Sequence, residues 1–206
     1  MTTKTRWFSG AVVGGLLLVS SAPVNAQGIG LLPSETAEVR SGEWVDITAG
    51  AVFSDSQQFY GARDTFSIMP ECRLFVDLGI VNRNTYDTDL GAQAGIVYAI
   101  PLDTVFDNAM RASVYGSTGD QIGEVGGTLS WIVSYQPLEN GVIFYGGLGI
   151  EVEDMSFKNR ITKVDETKVY PLFNAGALMP VMEHVNIFAE FAYIDDLWIG
   201  VGLRVR

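Results

Sequence analysis

Charged residues of both signs recur at alternating positions in several stretches of this chain, and they are the first candidates for chemistry. The set comprises Asp46, Arg73, Asp77, Arg111, Glu151, Glu190 and Arg204. Uncharged polar residues share the same alternating positions, namely Thr48, Gln93, Ser113, Thr128, Ser130 and Asn174. A buried charge is costly unless it is paired and hydrogen-bonded. Because the set contains both signs, its members can pair with one another. This favours a protein interior filled by paired side chains over an interior that is an open aqueous pore.

Residues suited to nucleophilic, redox or metal chemistry are scarce. The sequence contains one histidine, His184, and one cysteine, Cys72. Catalytic triads and histidine-rich metal sites need more than one such residue, and a single cysteine forms no intramolecular disulfide. We predict that His184 lies in a solvated turn and that Cys72 faces outward as a small apolar residue. We expect no enzyme activity, no metal and no cofactor.

Three acidic clusters are predicted to lie in loops as solvated charge. They are Asp87-Thr-Asp89, Glu151-Val-Glu153-Asp154 and Asp195-Asp196. Carboxylate oxygens could bind a hard cation such as Ca²⁺, but the spacing of an EF-hand loop is absent. Solvated loop charge is the simpler interpretation.

The elements that must position these residues are β-strands, and the last of them is the clearest. From Leu197 to Arg206, apolar residues alternate with small or charged ones along the whole stretch. Side chains of a strand point alternately to its two faces, so this strand contacts apolar surroundings on one side only. A terminal strand leaves an open edge unless another strand covers it, and closure of a barrel removes that edge.

Similar alternation predicts an all-β chain that forms a closed, antiparallel, up-and-down transmembrane β-barrel of about ten strands, with eight as the alternative. An even strand number, short turns at one end and longer loops at the other are typical of such barrels. We predict the longest loop over Met155–Glu166, and aromatic girdles that include Trp44 at one end and Trp198 at the other. The predicted strands are Trp44–Phe53, Phe59–Met69, Cys72–Asn82, Leu90–Ile100, Asn108–Ser117, Val125–Tyr135, Val142–Glu153, Leu172–Met182, Val185–Ile194 and Leu197–Arg206.

The N-terminus has the pattern of a secretory signal. Lys4 and Arg6 precede a short apolar core, and Val24-Asn25-Ala26 offers small residues for cleavage. We therefore predict a signal peptide over residues 1–26, a flexible periplasmic lead-in over 27–43 and the barrel over 44–206. The formal net charge of −11 repels nucleic acid, so no nucleic-acid partner is expected.

Three stretches resemble a known group of proteins. The pattern Gly200-x-x-Leu203-x-Val205 is similar to the C-terminal signal of bacterial outer-membrane barrels, although the chain ends in Arg206 instead of an aromatic residue. Phe144-Tyr-Gly-Gly-Leu-Gly-Ile150 and Phe188-Ala-Glu-Phe-Ala-Tyr193 resemble late strands of OmpA-type small outer-membrane β-barrels, members of the porin-like superfamily. The resemblance implies a location in the bacterial outer membrane and contact with its lipid. It also implies that the barrel-assembly machinery recognises Gly200, Leu203 and Val205.

These observations favour a non-enzymatic outer-membrane barrel with a structural or surface-interaction role and a mostly plugged polar interior. A narrow channel for small or hydrophobic solutes is the first alternative, and a surface adhesin is the second. We also expect Asp46 and Arg204 to face each other where the first and last strands meet. The sequence does not indicate an oligomeric state.

Overall fold

Ten antiparallel strands make up the fold, in a computed structural model that describes residues 30–31, 36–37, 45–83, 88–118, 122–138, 141–158 and 163–206. The predicted signal peptide and Trp44 lie outside the described residues. The strands are β1 (Val45–Phe53), β2 (Gln57–Met69), β3 (Cys72–Arg83), β4 (Thr88–Ile100), β5 (Asp107–Thr118), β6 (Ile122–Tyr135), β7 (Ile143–Lys158), β8 (Lys163–Met182), β9 (Val185–Tyr193) and β10 (Leu197–Val205).

The sheet closes on itself, since each strand pairs with the next and β10 pairs with β1. The closing seam runs from Ile47↔Val205 to Phe53↔Ile199. Because β10 pairs with β1, neither strand has an open edge along this seam. The sequence analysis predicted that closure would remove the edge of the last strand. The prediction of a closed barrel with ten strands is confirmed, and the alternative of eight is wrong.

Alternation along the strands separates an apolar outer face from a polar inner face. In β10, Leu197, Ile199, Val201, Leu203 and Val205 point outward and are exposed. The intervening Trp198 and Arg204 point inward and are buried. Because the same pattern holds on the other strands, the wall presents a continuous belt of large apolar side chains, which a transmembrane barrel requires and a soluble monomer rarely shows.

Two ends of the barrel can be distinguished. At the terminal end, β1 begins, β10 ends, and short connections run through residues 70–71, 101–106, 136–142 and 183–184. His184 lies there in an exposed turn, as predicted. In the connection at 136–142, the amide of Gly141 donates to the carbonyl oxygen of Leu138 at 2.9 Å. The loop end is the opposite one.

The β7–β8 hairpin is longer than the sequence indicated. Met155–Glu166 was predicted as a charged loop, but β7 and β8 pair from Ile143↔Leu178 to Lys158↔Lys163. That prediction is wrong at both ends of the stretch, because charge does not prevent alternating strands from pairing, and β7 also pairs with β6 as far as Ile122↔Phe157. Residues 159–162 lie outside the described residues. Since β9 pairs with β8 only as far as Phe173↔Tyr193, the hairpin rises above that part of the rim.

Apolar side chains inside the barrel form three clusters among the described residues. The largest lies towards the loop end and includes Phe59, Val81, Leu172 and Trp198. Trp198 was assigned to the outer girdle, and this is wrong, because its position in β10 points inward and its side chain is 0% exposed. Two smaller clusters lie towards the terminal end, around Phe75 and around Phe188.

The single cysteine also differs from its predicted environment. Cys72 has the outward register of Leu74, yet it is buried. It is the first residue of β3 and lies opposite the larger side chains Met69 and Tyr98 of its neighbouring strands. Cys72 therefore has the predicted outward register, but its neighbours cover it, so the prediction that it contacts lipid is wrong. No helix within the described ranges is long and apolar enough to cross a membrane.

Candidate functional site: the barrel interior

All seven charged residues proposed for the interior have side chains at most 3% exposed. They do not form one cluster. Arg73 and Arg204 lie near the terminal end, Asp77 and Arg111 near the middle, and Glu151 farther towards the loop end. The arrangement is a series of polar layers, and some of their members, such as Arg63 and Arg83, were not singled out by the sequence pattern.

The middle layer contains a bidentate ion pair between Arg63 and Asp77. Arg63 Nε donates to Asp77 Oδ1 at 2.6 Å and Arg63 Nη2 donates to Asp77 Oδ2 at 2.7 Å, so the pair is bidentate. Both side chains are 0% exposed. Arg63 belongs to β2, whose weak alternation gave no face assignment. Arg63 lies directly opposite Asp77 on the neighbouring strand, and this position would have identified it as the partner. The position can be read only when the register between β2 and β3 is known.

An aromatic ring links this pair to a second arginine. The guanidinium carbons of Arg63 and Arg111 each lie 4.6 Å from the ring centroid of Phe75, within the range of cation–π attraction. Arg111 Nη1 also donates to Thr128 Oγ1 at 3.1 Å. Ser113 completes the layer, since its hydroxyl lies 2.7 Å from Thr128 Oγ1 and accepts from Gln93 Nε2 at 2.9 Å.

A second ion-pair centre lies towards the loop end. Arg83 pairs with Asp89 and donates from Nη2 to Glu124 Oε2 at 2.8 Å. The same nitrogen donates to Ser117 Oγ at 2.9 Å. The assignment of Asp89 to a solvated loop is wrong, because β4 begins at Thr88 and its alternation directs Asp89 inward.

Two carboxylates inside the barrel accept hydrogen bonds from tyrosines. Tyr115 Oη donates to Glu151, and Tyr145 Oη donates to Glu190 Oε2 at 2.9 Å. Asn174 Nδ2 donates to Glu190 Oε1 at 3.1 Å. The assignment of Glu151 to a loop cluster is therefore wrong, although its inward position in β7 was predicted, and Glu153 of the same cluster is also buried inside.

Glycine makes room for these tyrosines. The ring of Tyr145 lies against Gly176 of the neighbouring strand, where an added Cβ would be 2.6 Å from the ring. A glycine without a side chain lets the inner wall approach a bulky neighbour closely. The close approach holds the Tyr145 hydroxyl within reach of Glu190.

The terminal end holds the remaining predicted residues. Arg73 Nη2 donates to the carbonyl oxygen of Thr36 at 2.6 Å. Across the closing seam, Arg204 lies opposite Thr48, and Asp46 lies one inward position nearer the terminal end. The pairing of Asp46 with Arg204 stays a prediction.

The predicted lead-in contributes to the interior. Of residues 27–43, the described ones are Gly30, Leu31, Thr36 and Ala37, and all four are buried. Leu31 joins the apolar cluster around Trp198, and Ala37 joins the cluster around Phe75. These residues therefore lie within the barrel and not in the periplasm, a placement that their aperiodic sequence did not indicate.

Among the described residues, a shallow and mostly apolar depression of about 470 Å³ lies near the terminal end. Its lining includes Phe106, Trp131, Tyr135 and Phe144. Among the residues whose positions are described, no group of three or more histidine, cysteine, aspartate or glutamate side chains could hold a metal ion. The chemistry that the interior supports is ion pairing and hydrogen bonding.

Comparison with solved structures finds bacterial outer-membrane barrels. The N-terminal β-barrel domain of Pseudomonas aeruginosa OprF is 13% identical, with 78% of this chain and 95% of that chain covered and a TM-score of 0.43. The outer membrane protease OmpT from Escherichia coli is 10% identical, with 78% and 95% covered and a TM-score of 0.44. Neisserial surface protein A is 11% identical, with 80% and 99% covered and a TM-score of 0.37.

No protein-family model matches the chain, and no curated protein matches it. The chain resembles small outer-membrane β-barrels, as its sequence motifs indicated. The assignment of the fold rests on the strand pairing itself.

Proposed function

We propose that this protein is a non-enzymatic outer-membrane barrel with a filled interior and a structural or surface-interaction role. The observation that carries the proposal is the bidentate Arg63–Asp77 pair, which lies in the middle of the barrel with both side chains 0% exposed. Charges lining a continuous aqueous pore would contact water. Barrels of about eight strands are narrow enough for side chains to fill, and ten strands are only slightly wider.

The proposed location follows from the wall and the N-terminus. An apolar outer belt is stable in contact with lipid. A closed barrel also makes its backbone hydrogen bonds internally, so no unpaired backbone group of the wall faces the lipid. The signal peptide predicted over residues 1–26 would direct export, and its cleavage after Ala26 is part of the proposal.

A surface-interaction role is favoured by the β7–β8 hairpin. Residues 163–172 of β8 pair with β7 and extend past the last β8–β9 pair, Phe173↔Tyr193. A strand of this length reaches about 30 Å at roughly 3.3 Å per residue. An extended edge beyond the membrane can pair with a strand of another protein, which keeps the adhesin alternative open to test.

Heat modifiability and conductance test the proposal together. We expect the full-length mature protein to shift in apparent mass between unboiled and boiled samples in SDS, because a closed barrel resists SDS until heated. We expect no steady conductance in planar bilayers, because buried side chains fill the interior. Steady conductance would instead support the narrow-channel alternative, and an unshifted band from a soluble periplasmic fraction would contradict the membrane location.

We also propose that the barrel-assembly machinery recognises the C-terminal strand through Gly200, Leu203 and Val205. Leu203 and Val205 are exposed on the outer face of β10, where a partner can contact them before the barrel closes.

Leu203→Asn tests this recognition. We expect the variant to form the heat-modifiable species in cells several-fold more slowly than the unsubstituted protein, because one contact of the signal is lost. Val201→Asn on the same outer face is the matched control and should assemble at the normal rate. Pulse-chase labelling measures both, and equal rates for the two variants would argue against recognition at Leu203.

A further inference from the structure

Leu31 is held in the barrel by its main chain. Its amide donates to Asp77 Oδ2 at 2.9 Å, and its carbonyl oxygen accepts from Arg63 Nη2 at 2.6 Å. The bidentate pair thus presents an acceptor to the amide and a donor to the carbonyl oxygen of one residue, Leu31. Any residue other than proline offers the same two groups, so this contact is independent of side-chain identity.

A second main-chain contact lies nearer the terminal end. Arg73 Nη2 donates to the carbonyl oxygen of Thr36 at 2.6 Å, and the amide of Ala37 donates to Ser134 Oγ at 3.0 Å. Arg73 belongs to β3 and Ser134 to β6, so different parts of the wall contact the same segment. Buried main-chain groups need such partners, and here the wall supplies them.

The space around Gly30 and Leu31 restricts which residues fit at these two positions. Gly30 has a φ of +116°, a conformation that glycine adopts readily and other residues rarely adopt. A Cβ at Gly30 would lie 2.8 Å from Asp77 Oδ2 and 3.0 Å from Gln93 Cδ, so these two side chains would have to shift to admit one. The Leu31 side chain is buried in the cluster that contains Val52 and Phe59.

We propose that the barrel interior is a binding site for a peptide, filled in this structure by the chain's own residues Gly30–Leu31 and Thr36–Ala37. The ligand class is a peptide with a glycine followed by an aliphatic residue. None of the contacts described requires the peptide to be covalently joined to β1, so a separate peptide can make the same hydrogen bonds. The inference rests on the filled interior of the proposed function.

The test uses the full-length mature protein carrying Gly30→Val, which cannot seat its own segment. Gly30 lies outside the ten strands, so the substitution removes no strand pairing. The probes are fluorescently labelled synthetic peptides of residues 27–40, one with the natural sequence and one with Gly30→Val. Fluorescence anisotropy in detergent micelles measures their binding, and the boiled and unboiled gel shift verifies that the barrel is folded.

We expect the natural peptide to bind the Gly30→Val protein about tenfold or more tightly than the substituted peptide does, a difference of one decade in Kd. The unsubstituted protein should bind little of either peptide, because its own segment occupies the site. Equal binding of the two peptides, or no binding to the folded variant, would overturn the proposal while leaving the conductance result of the proposed function intact.

Leu31→Asp provides a second variant, since a carboxylate cannot occupy the apolar cluster. It should bind the natural peptide as the Gly30→Val protein does. If neither variant gave a heat-modifiable species, the segment would be part of the folding core and the idea of an exchangeable peptide ligand would be wrong.

Discussion

Arg63→Met is expected to destabilise the folded barrel by about 3–5 kcal/mol, the usual cost of removing one partner from a buried ion pair. The cost arises because the Asp77 side chain is left in the middle of the barrel without the guanidinium that donates to both of its oxygens. The cation–π contact of Arg63 with Phe75 is lost as well. Urea unfolding of the barrel in lipid vesicles, followed by tryptophan fluorescence, gives the free energy of unfolding.

The double variant Arg63→Met/Asp77→Leu is the control for this prediction. Replacing both members of a buried pair with apolar residues is often close to neutral, so the double variant should be more stable than Arg63→Met alone. A single variant that lost less than about 1 kcal/mol, as exposed pairs do, would mean that water reaches the pair and that the interior is not filled.

Leu78→Arg is expected to destabilise the barrel in lipid by about 2–4 kcal/mol, the cost of an arginine near the bilayer midplane on the lipid face of a barrel. Leu78 lies in the middle of β3, points outward and is 64% exposed in the isolated chain. Its exposure to lipid, and not to water, is what makes the substitution costly. The same unfolding measurement in vesicles tests it.

Val169→Arg is the matched control for Leu78→Arg. Val169 is 65% exposed, but it lies in the part of β8 beyond the last pair with β9. We expect a change within about 0.5 kcal/mol there, as for an ordinary surface substitution. Equal tolerance of both arginines would mean that the outer belt faces water, and the membrane location would have to be abandoned.

The sequence by itself determined the fold class, the location of most strands and which of their residues point inward, and it favoured ten strands over eight. A strand's side chains alternate with a period of two, so each strand's pattern states locally which residues point inward. This is why Asp46, Asp77 and Arg204 could be assigned to the interior without knowledge of their neighbours. The alternating β10, which needed a partner for its edge, then required β1 to close the barrel.

Only the tertiary structure decided which interior charges meet. The pairs Arg63–Asp77 and Arg83–Glu124 depend on the register and stagger of several strands, and a shift of one residue would turn a side chain to the other face. The charged β7–β8 hairpin is a similar case. High charge is compatible with either a loop or a strand, so only the pairing of β7 with β6 and β8 shows that these residues form strands.

The sequence did not predict that Gly30, Leu31, Thr36 and Ala37 lie inside the barrel, and the physical reason is a different one. Residues 27–43 have no periodicity, and the contacts of Leu31 are made by its main chain, which carries no side-chain signal. The wall supplies the partners from β2 and β3, which lie far along the chain. Local pattern therefore determined the wall of this barrel, and long-range packing determined what fills it.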